Sequence, residues 1–444
     1  MVALGLVRAL RSRGIVVQTF KKGPDFVDPA WLKQASGCPS RNLDVRMCGK
    51  DAVLSTFAQH APRDGVSVIE GNRGLFDGCD ALGTYSTARL AQLLASPTLL
   101  VVSAAKATRT VAATVLGCMH LEPNTPLTGV ILNHLAGERH CRITRKAVED
   151  ATGLPVVGAL PRSSEPHILF GPMGLQTPAE HPAADEALGK IERWVTESVD
   201  VDGVLAMARA APGMESGPAT VRCSEMGDCG GAPPRIGVPM DSAFSFYYPE
   251  NIEALESMGA TIVAVSPTHD RRLPLLDALY VGGGFVERHA EALSSNDSMR
   301  GEIRAAVERG LPVYAEAGGL AYLSRSVCVR DRTWPMVGAL PIEVSVEERS
   351  IGHGYVEADV VCDTPFYRKG ERLVGHRLHS VRVIAGLERV ECVARVKGGR
   401  GLDGAGVDGL VFKRVFATTM HVHALGMASW ATGMVRAAIA SRET

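Results

Sequence analysis

The sequence predicts two successive α/β domains, the first built on a doubly wound, mostly parallel sheet. Three observations lead there: β-branched runs alternating with helical patterns in the first half, a second alternation after residue 234, and a poorly periodic Ala/Gly/Pro/Ser/Met stretch between them. Residues 15–20, 66–70, 98–103, 127–133 and 156–160 read as strands, and 89–94, 111–120 and 142–152 as helices that cover them. The composition shift over 210–234 marks a surface linker, so the expected domains are 1–209 and 235–444. Past the linker, 235–238, 261–265, 278–281 and 313–315 read as strands and 251–258 and 299–308 as helices. From residue 334 onward strands dominate, at 354–361, 381–384 and 393–396, before a final helix near 428–440. The second domain is thus expected to be α/β with antiparallel additions.

Composition narrows the function classes. The chain has 444 residues, enough for two or three cores. Its 47 Lys and Arg balance 48 Asp and Glu, and the net charge of −1 provides no global field for nucleic acid or anionic lipid. Neither is an expected partner, so any anion site must be local. Hydrophobic residues at 46% and charged residues at 21% describe a globular chain rather than a disordered one. Apolar runs end well short of the roughly 20 residues of a bilayer crossing. The opening residues show no secretory pattern, and the cytoplasm is the expected compartment. The ten cysteines form no Cys-x-x-Cys pair and read as reduced thiols; the spacing of Cys223 and Cys229 suits no usual zinc half-site. No repeat period is present.

Chemistry concentrates at strand ends, where ligands gather in such folds. Phe20-Lys21-Lys22-Gly23-Pro24-Asp25-Phe26-Val27-Asp28-Pro29 follows a strand with two cations and two carboxylates. Asp25 and Asp28 are suited to hold Mg²⁺ or position a substrate, and Lys21 to neutralise phosphate or carboxylate; a solvated Gly-Pro turn is the bland alternative. Glu70 ends an apolar strand, as a metal-holding carboxylate beside phosphates does. Arg73 and Asp77 lie in the following glycine-containing loop, which suits an anionic substrate. Ser86 precedes an apolar helix, where an N-cap explains its hydroxyl without a ligand.

In the second half, Tyr280-Val281-Gly282-Gly283-Gly284-Phe285 would offer backbone N–H groups of Gly283 and Gly284 to an oxyanion, or form a tight turn. Val313-Tyr314-Ala315-Glu316-Ala317-Gly318-Gly319-Leu320 has the strand, sharp turn and helix layout of a nucleophile elbow, with Ala317 at the nucleophile position. His421 and His423 alternate on an apparent strand and would share one face, too few ligands for a metal site.

Together these strings resemble the cobyrinic acid a,c-diamide synthase family, including its sirohaem-amidating branch. The resemblance rests on 20–29, 41–44, 70–78, 86–95, 129–133 and 155–162, and on the second-half strings around 241–251, 313–320 and 418–423. It implies a P-loop-related, dethiobiotin-synthetase-like domain followed by an α/β glutamine-amidotransferase-like domain. It further implies ATP- and Mg²⁺-dependent amidation of the a and c acetates of cobyrinate through an acyl phosphate. Under it Asp25 and Asp28 are catalytic, Glu70 and Asp25 hold metal, and Lys21 and Asn133 serve the nucleotide. Arg73, Asp77 and Ser86 then meet a tetrapyrrole polycarboxylate, Gly283 and Gly284 form the oxyanion site, and His421 is the activating histidine. The aromatics of 244–248 would lie against the macrocycle or pack between domains.

Three departures qualify what is implied. The family's Gly-rich Walker loop and first strand are expected before Val2, upstream of this Met1; without them the ATP site is incomplete. Ala317 stands where the family has a cysteine, so ammonia, free or from a separate glutaminase, replaces glutamine as the expected donor. Arg377 and Leu378 stand where it usually has Glu and Phe. Amidation of sirohydrochlorin or sirohaem, suggested by 70–74 and 174–177, and non-catalytic tetrapyrrole binding are the alternative readings. A homodimer is compatible with all of them.

Overall fold

The computed structural model describes residues 1–162, 170–171, 174–213, 232–347, 350–398, 401–402, 404 and 406–442. Cys223, Cys229 and most of the expected linker lie outside the described residues. The chain divides into two units, Met1–Thr220 and Val221–Thr444.

In the first unit the strands are β1 (Val16–Lys22), β2 (Arg41–Leu43), β3 (Gly65–Glu70), β4 (Thr98–Ser103), β5 (Leu127–Leu135) and β6 (Val156–Pro161), followed by the short β7 (Phe170–Gly171) and β8 (Gly174–Leu175). All pairings among β1–β6 are parallel, but they form two ladders, β2-β1-β3 and β4-β5-β6, rather than one sheet. Among the described residues β3 and β4 each have a neighbour on one side only. Strands of parallel sheets are ordinarily covered on both faces; β4 departs from this, with Val101 45% exposed.

Each strand expected in this unit is present to within two residues at either end. The region 27–60 went unassigned in the sequence because its signals are weak. The helix Val27–Ser36 takes Pro in its first turn and buries Trp31, Leu32 and Ala35, while β2 is only three residues long. Helix Val2–Ser12 packs on Ala184–Ser198 so closely that a Cβ on Gly5 would come within 2.3 Å of Val195.

The second unit adds β9 (Arg235–Pro239), β10 (Thr261–Val265), β11 (Ala278–Val281), β12 (Val313–Glu316), β13 (Ser326–Val329), β14 (Arg332–Pro335), β15 (Glu343–Val346), β16 (Gly352–Val360), β17 (Arg372–His379), β18 (Val381–Ala385), β19 (Glu391–Val396), β20 (Val407–Phe412), β21 (Val415–Thr418) and β22 (His421–Val422). Ten of them form one sheet in the order β10-β9-β11-β12-β21-β20-β19-β16-β17-β22. Its first five strands are parallel and the rest antiparallel, as the mixed α/β reading anticipated. Trp430, from helix Ala428–Ala440, meets Tyr280 and Tyr314 edge-on, and Tyr314 stacks on Phe416 in the buried core. Phe244, Phe246 and Tyr248 are likewise buried inside this unit, against Tyr322, Phe285 and His423. Their bulk is therefore spent on packing within the unit.

Candidate active site

In the first unit, the parallel register Lys21↔Glu70 brings the ends of β1 and β3 level. Lys21 is almost fully buried, and its ammonium donates to Asp28 Oδ2 (2.5 Å), Glu70 Oε2 (3.3 Å) and the Gly71 carbonyl (3.2 Å). Burial alone would favour loss of its proton, but Glu70, Asp28 and Asp25 outweigh it and raise the Lys21 pKa. The turn between β1 and the next helix is shaped by Asn42, whose amide donates to the Gly23 and Asp25 carbonyls at 2.8 and 2.9 Å. Asp25 Oδ1 accepts from the Val27 and Asp28 backbone N–H groups. Burial, with the Asp28 charge added, pushes its carboxyl up to about 6.

The Lys21 ammonium lies between Asp28 and Glu70, and Asp25 Oδ1 accepts from two backbone donors; among the described residues no group of three or more His, Cys, Asp or Glu is placed to hold a metal by itself. Asp77 closes the adjoining loop by accepting from Gly74 N (2.9 Å). Ser86 is fully buried and caps helix Thr87–Leu93 through Arg89 N, so its geometry is that of the cap and not of a substrate contact. Arg73 is exposed, with a left-handed backbone (φ 54°). Asn133 lies on β5 in the other ladder, where its Oδ1 accepts from the next N–H.

In the second unit the elbow is built as the sequence layout suggested. Ala317, between β12 and helix Gly318–Leu323, holds φ 42° and ψ −98°. Such a conformation costs a non-glycine residue about 1–3 kcal/mol and persists only where its surroundings impose it. Its N–H donates to the Thr418 carbonyl at 2.8 Å. The neighbouring glycines are there for close approach: a Cβ on Gly284 would stand 1.9 Å from the Ala243 carbonyl oxygen, and one on Gly319 2.3 Å from that of Val281.

His421 is fully buried and donates from Nδ1 to Glu316 Oε2 at 3.1 Å. That bond assigns the proton to Nδ1 and leaves the Cε1–Nε2 edge of the ring facing Gly283, whose Cβ, if present, would meet His421 Cε1 at 2.5 Å. Glu316 also accepts from the Tyr280 hydroxyl and Val422 N. Asn251 completes the support by donating to the Val422 carbonyl and accepting from Ala424 N. His423 does not share this arrangement. It stacks on Tyr248 and has Glu250 as its own carboxylate neighbour at 3.6 Å, so the two histidines have separate partners.

Sequence reading missed Glu316 and a second network. Asp408, fully buried on β20, accepts from Arg377 Nη2 (2.5 Å), both Thr419 donors, Thr418 Oγ1 and Gly409 N. Burial opposes its ionisation, yet Arg377 and the Thr419 hydroxyl outweigh it and hold the carboxyl below its ordinary range. This clamp grips the two residues that lead into Met420-His421. Glu316 adjoins the elbow in sequence, but only strand register puts it beside His421. The Arg377–Asp408 pair spans 31 residues and left no local signal.

Two more histidines on β17 are kept neutral. Burial, with His421 and His353 adding repulsion, lowers His376 to about 3, and burial lowers His379 to about 4. Both pKa values fall below the unfolded value, so the unfolded chain binds more protons between about pH 3 and 6.5. Stability is therefore full above pH 6.5 and falls as the solution is acidified, by about 1.4 kcal/mol per histidine at pH 5.5. Denaturant titrations at pH 7.5 and 5.5 are expected to show this loss, and His376→Asn to show less of it. An equal acid loss in the variant would remove His376 as a cause.

No helix among the described residues is long and apolar enough to cross a membrane. An AAA-domain family model matches residues 38–166, and a CobB/CobQ-like glutamine amidotransferase domain model matches 235–428. A cobyrinate a,c-diamide synthase of Magnetococcus marinus is 37% identical over 98% of this chain and 93% of its own length. That of Archaeoglobus fulgidus is 38% identical over 99% and 94%, and that of Syntrophotalea carbinolica 40% over 86% and 83%. With likeness running through both units at this level, the chain belongs to the cobyrinate a,c-diamide synthase family.

Proposed function

We propose that this chain is a carbon–nitrogen ligase that amidates the a and c acetate groups of cobyrinate at the expense of ATP, with ammonia as its nitrogen donor. The substrate reading rests on relatives of that name matching nearly end to end. The donor reading rests on one observation, the methyl group of Ala317 at an elbow that is otherwise fully formed.

In the first unit, the substrate carboxylate attacks the terminal phosphorus of ATP, giving an acyl phosphate and ADP. Lys21, held rigidly by Asp28 and Glu70, supplies positive charge at the strand ends where negative oxygen develops. Ammonia then forms the new C–N bond, the C–O bond to phosphate breaks, and phosphate leaves with the proton that the nitrogen sheds. Ammonium enters with one proton too many. Asp25, half neutral near pH 6 and adjacent to Asp28, is suited to accept it at neutral pH. Mg²⁺ would arrive with the nucleotide phosphates, since among the described residues no group of three or more His, Cys, Asp or Glu is placed to hold it alone.

The second unit cannot make a thioester, because a methyl group has no lone pair to attack the glutamine carboxamide. The test is product mass after incubation with cobyrinate and MgATP plus either ammonium or glutamine, since each amidation exchanges OH for NH2. Product with ammonium alone is expected. Equal product with glutamine would overturn the donor assignment. No product from either, with macrocycle still bound, would favour a tetrapyrrole-binding protein.

A further inference from the structure

Lys22 has no role in the arrangement above, although it stands next to the most heavily engaged cation of the first unit. It is the last residue of β1, half-buried at the end of the strand where ligands of parallel sheets collect. Successive side chains on a strand point to opposite faces, so Lys22 does not join Lys21 between Asp28 and Glu70. Among the described residues no hydrogen bond or ion pair within 4 Å reaches its ammonium. Its charged surroundings are Asp44, Cys79, Arg73 and Lys21. Asp44 is committed elsewhere, since its carboxylate caps helix Val45–Cys48 through Arg46 N and Met47 N.

Arg73 comes to the same place from the neighbouring strand. The β1–β3 ladder ends at Lys21↔Glu70, one residue before Lys22 and three before Arg73. The Arg73 backbone is left-handed, an uncommon conformation for a residue with a side chain. Bonds on either side hold the loop: Asn72 N donates to Thr87 Oγ1, and Gly74 N to Asp77 Oδ2. No ion pair of Arg73 is present among the described residues. Two cations thus lie near each other, and the carboxylate beside Lys22, that of Asp44, is also engaged in capping its own helix. Burial, with smaller repulsion from Arg73 and Lys21, lowers the Lys22 pKa against the attraction of Asp44.

We infer that Lys22 and Arg73 form a two-cation subsite for a carboxylate of the macrocycle other than the one being amidated. This rests on the polycarboxylate substrate proposed above and names the residues that orient it. A protein with a net charge of −1 has no general attraction for such a substrate, so the charge that registers it must be local. With a non-reacting carboxylate clamped here and Lys21 reserved for the reacting group, rotation of the macrocycle in its site is blocked.

The experiment measures binding of cobyrinate, of its peripheral methyl ester and of MgATP to the intact chain, by titration at low and moderate salt. Variants are Lys22→Gln, Arg73→Gln, the double variant and the charge-preserving Lys22→Arg. Each Gln variant is expected to weaken cobyrinate about tenfold, with the difference shrinking as salt rises, while Lys22→Arg stays within about threefold. Ester binding should be indifferent to all substitutions, and MgATP affinity unchanged. Unaltered cobyrinate affinity in Lys22→Gln would overturn the subsite, and a loss confined to MgATP would reassign the pair to phosphate. Failure of the unsubstituted chain to bind cobyrinate would instead sink the functional reading, and the subsite with it.

Discussion

Replacing Ala317 by cysteine is expected to give this chain a glutaminase activity that it lacks. The elbow already holds the strained φ and ψ, the His421–Glu316 pair is in place, and Gly283 and Gly284 keep their close approach. A thiol at 317 would lose its proton to His421. The thiolate would attack the glutamine carboxamide carbon, ammonia would leave, and water would cleave the thioester to glutamate. Glutamate release should rise from background by at least about 100-fold, the order contributed by an activated nucleophile with a positioned base. Ammonium-dependent amidation should be unaffected, because its chemistry belongs to the first unit. The same variant should be alkylated by an electrophilic glutamine analogue and the parent should not. If the variant neither reacts with the analogue nor releases glutamate, the surroundings of residue 317 are not the working remainder of a glutaminase site.

Asp408→Ala is expected to be the most destabilising single change near that site, by about 3–5 kcal/mol. The substitution leaves the Arg377 guanidinium, itself 7% exposed, without its carboxylate in the interior. It also strips the acceptor from both Thr419 donors, from Thr418 Oγ1 and from Gly409 N. An unpaired buried charge costs more than the pair contributes, so Arg377→Leu with Asp408→Leu should recover much of the loss. Denaturant unfolding of the single and double variants measures it. A loss under about 1 kcal/mol in Asp408→Ala would mean that water reaches Arg377. The Arg at 377, where the family resemblance leads one to expect Glu, is thus explained by its partner on β20.

How much was legible in advance differed between elements. The strands of the first unit announced themselves because runs such as Thr98–Ser103 are apolar, β-branched and bounded by turn residues. Helix Val27–Ser36 did not, because it is short and Asp28 and Pro29 open it. Lys21, Asp25, Asp28 and Glu70 were singled out as a set from their places at strand ends, but not which cation lay between which carboxylates. The buried ammonium of Lys21 lies between Asp28 and Glu70.

The sequence by itself determined the alternation of elements, the turn-forming glycines, the elbow string and the absence of a nucleophile from it. These are local properties, written in residues close together along the chain. Only the tertiary structure decided that Glu316 orients His421, that His423 has a different carboxylate neighbour, that Asp408 and Arg377 clamp Thr418 and Thr419, and that Lys22 and Arg73 lie near each other. The Glu316–His421 and Arg377–Asp408 pairs depend on strand register and crossover, which bring residues 105 and 31 positions apart into contact. Side-chain pairing over such separations is set by the sum of the core packing that fixes the strands, and no local pattern encodes it.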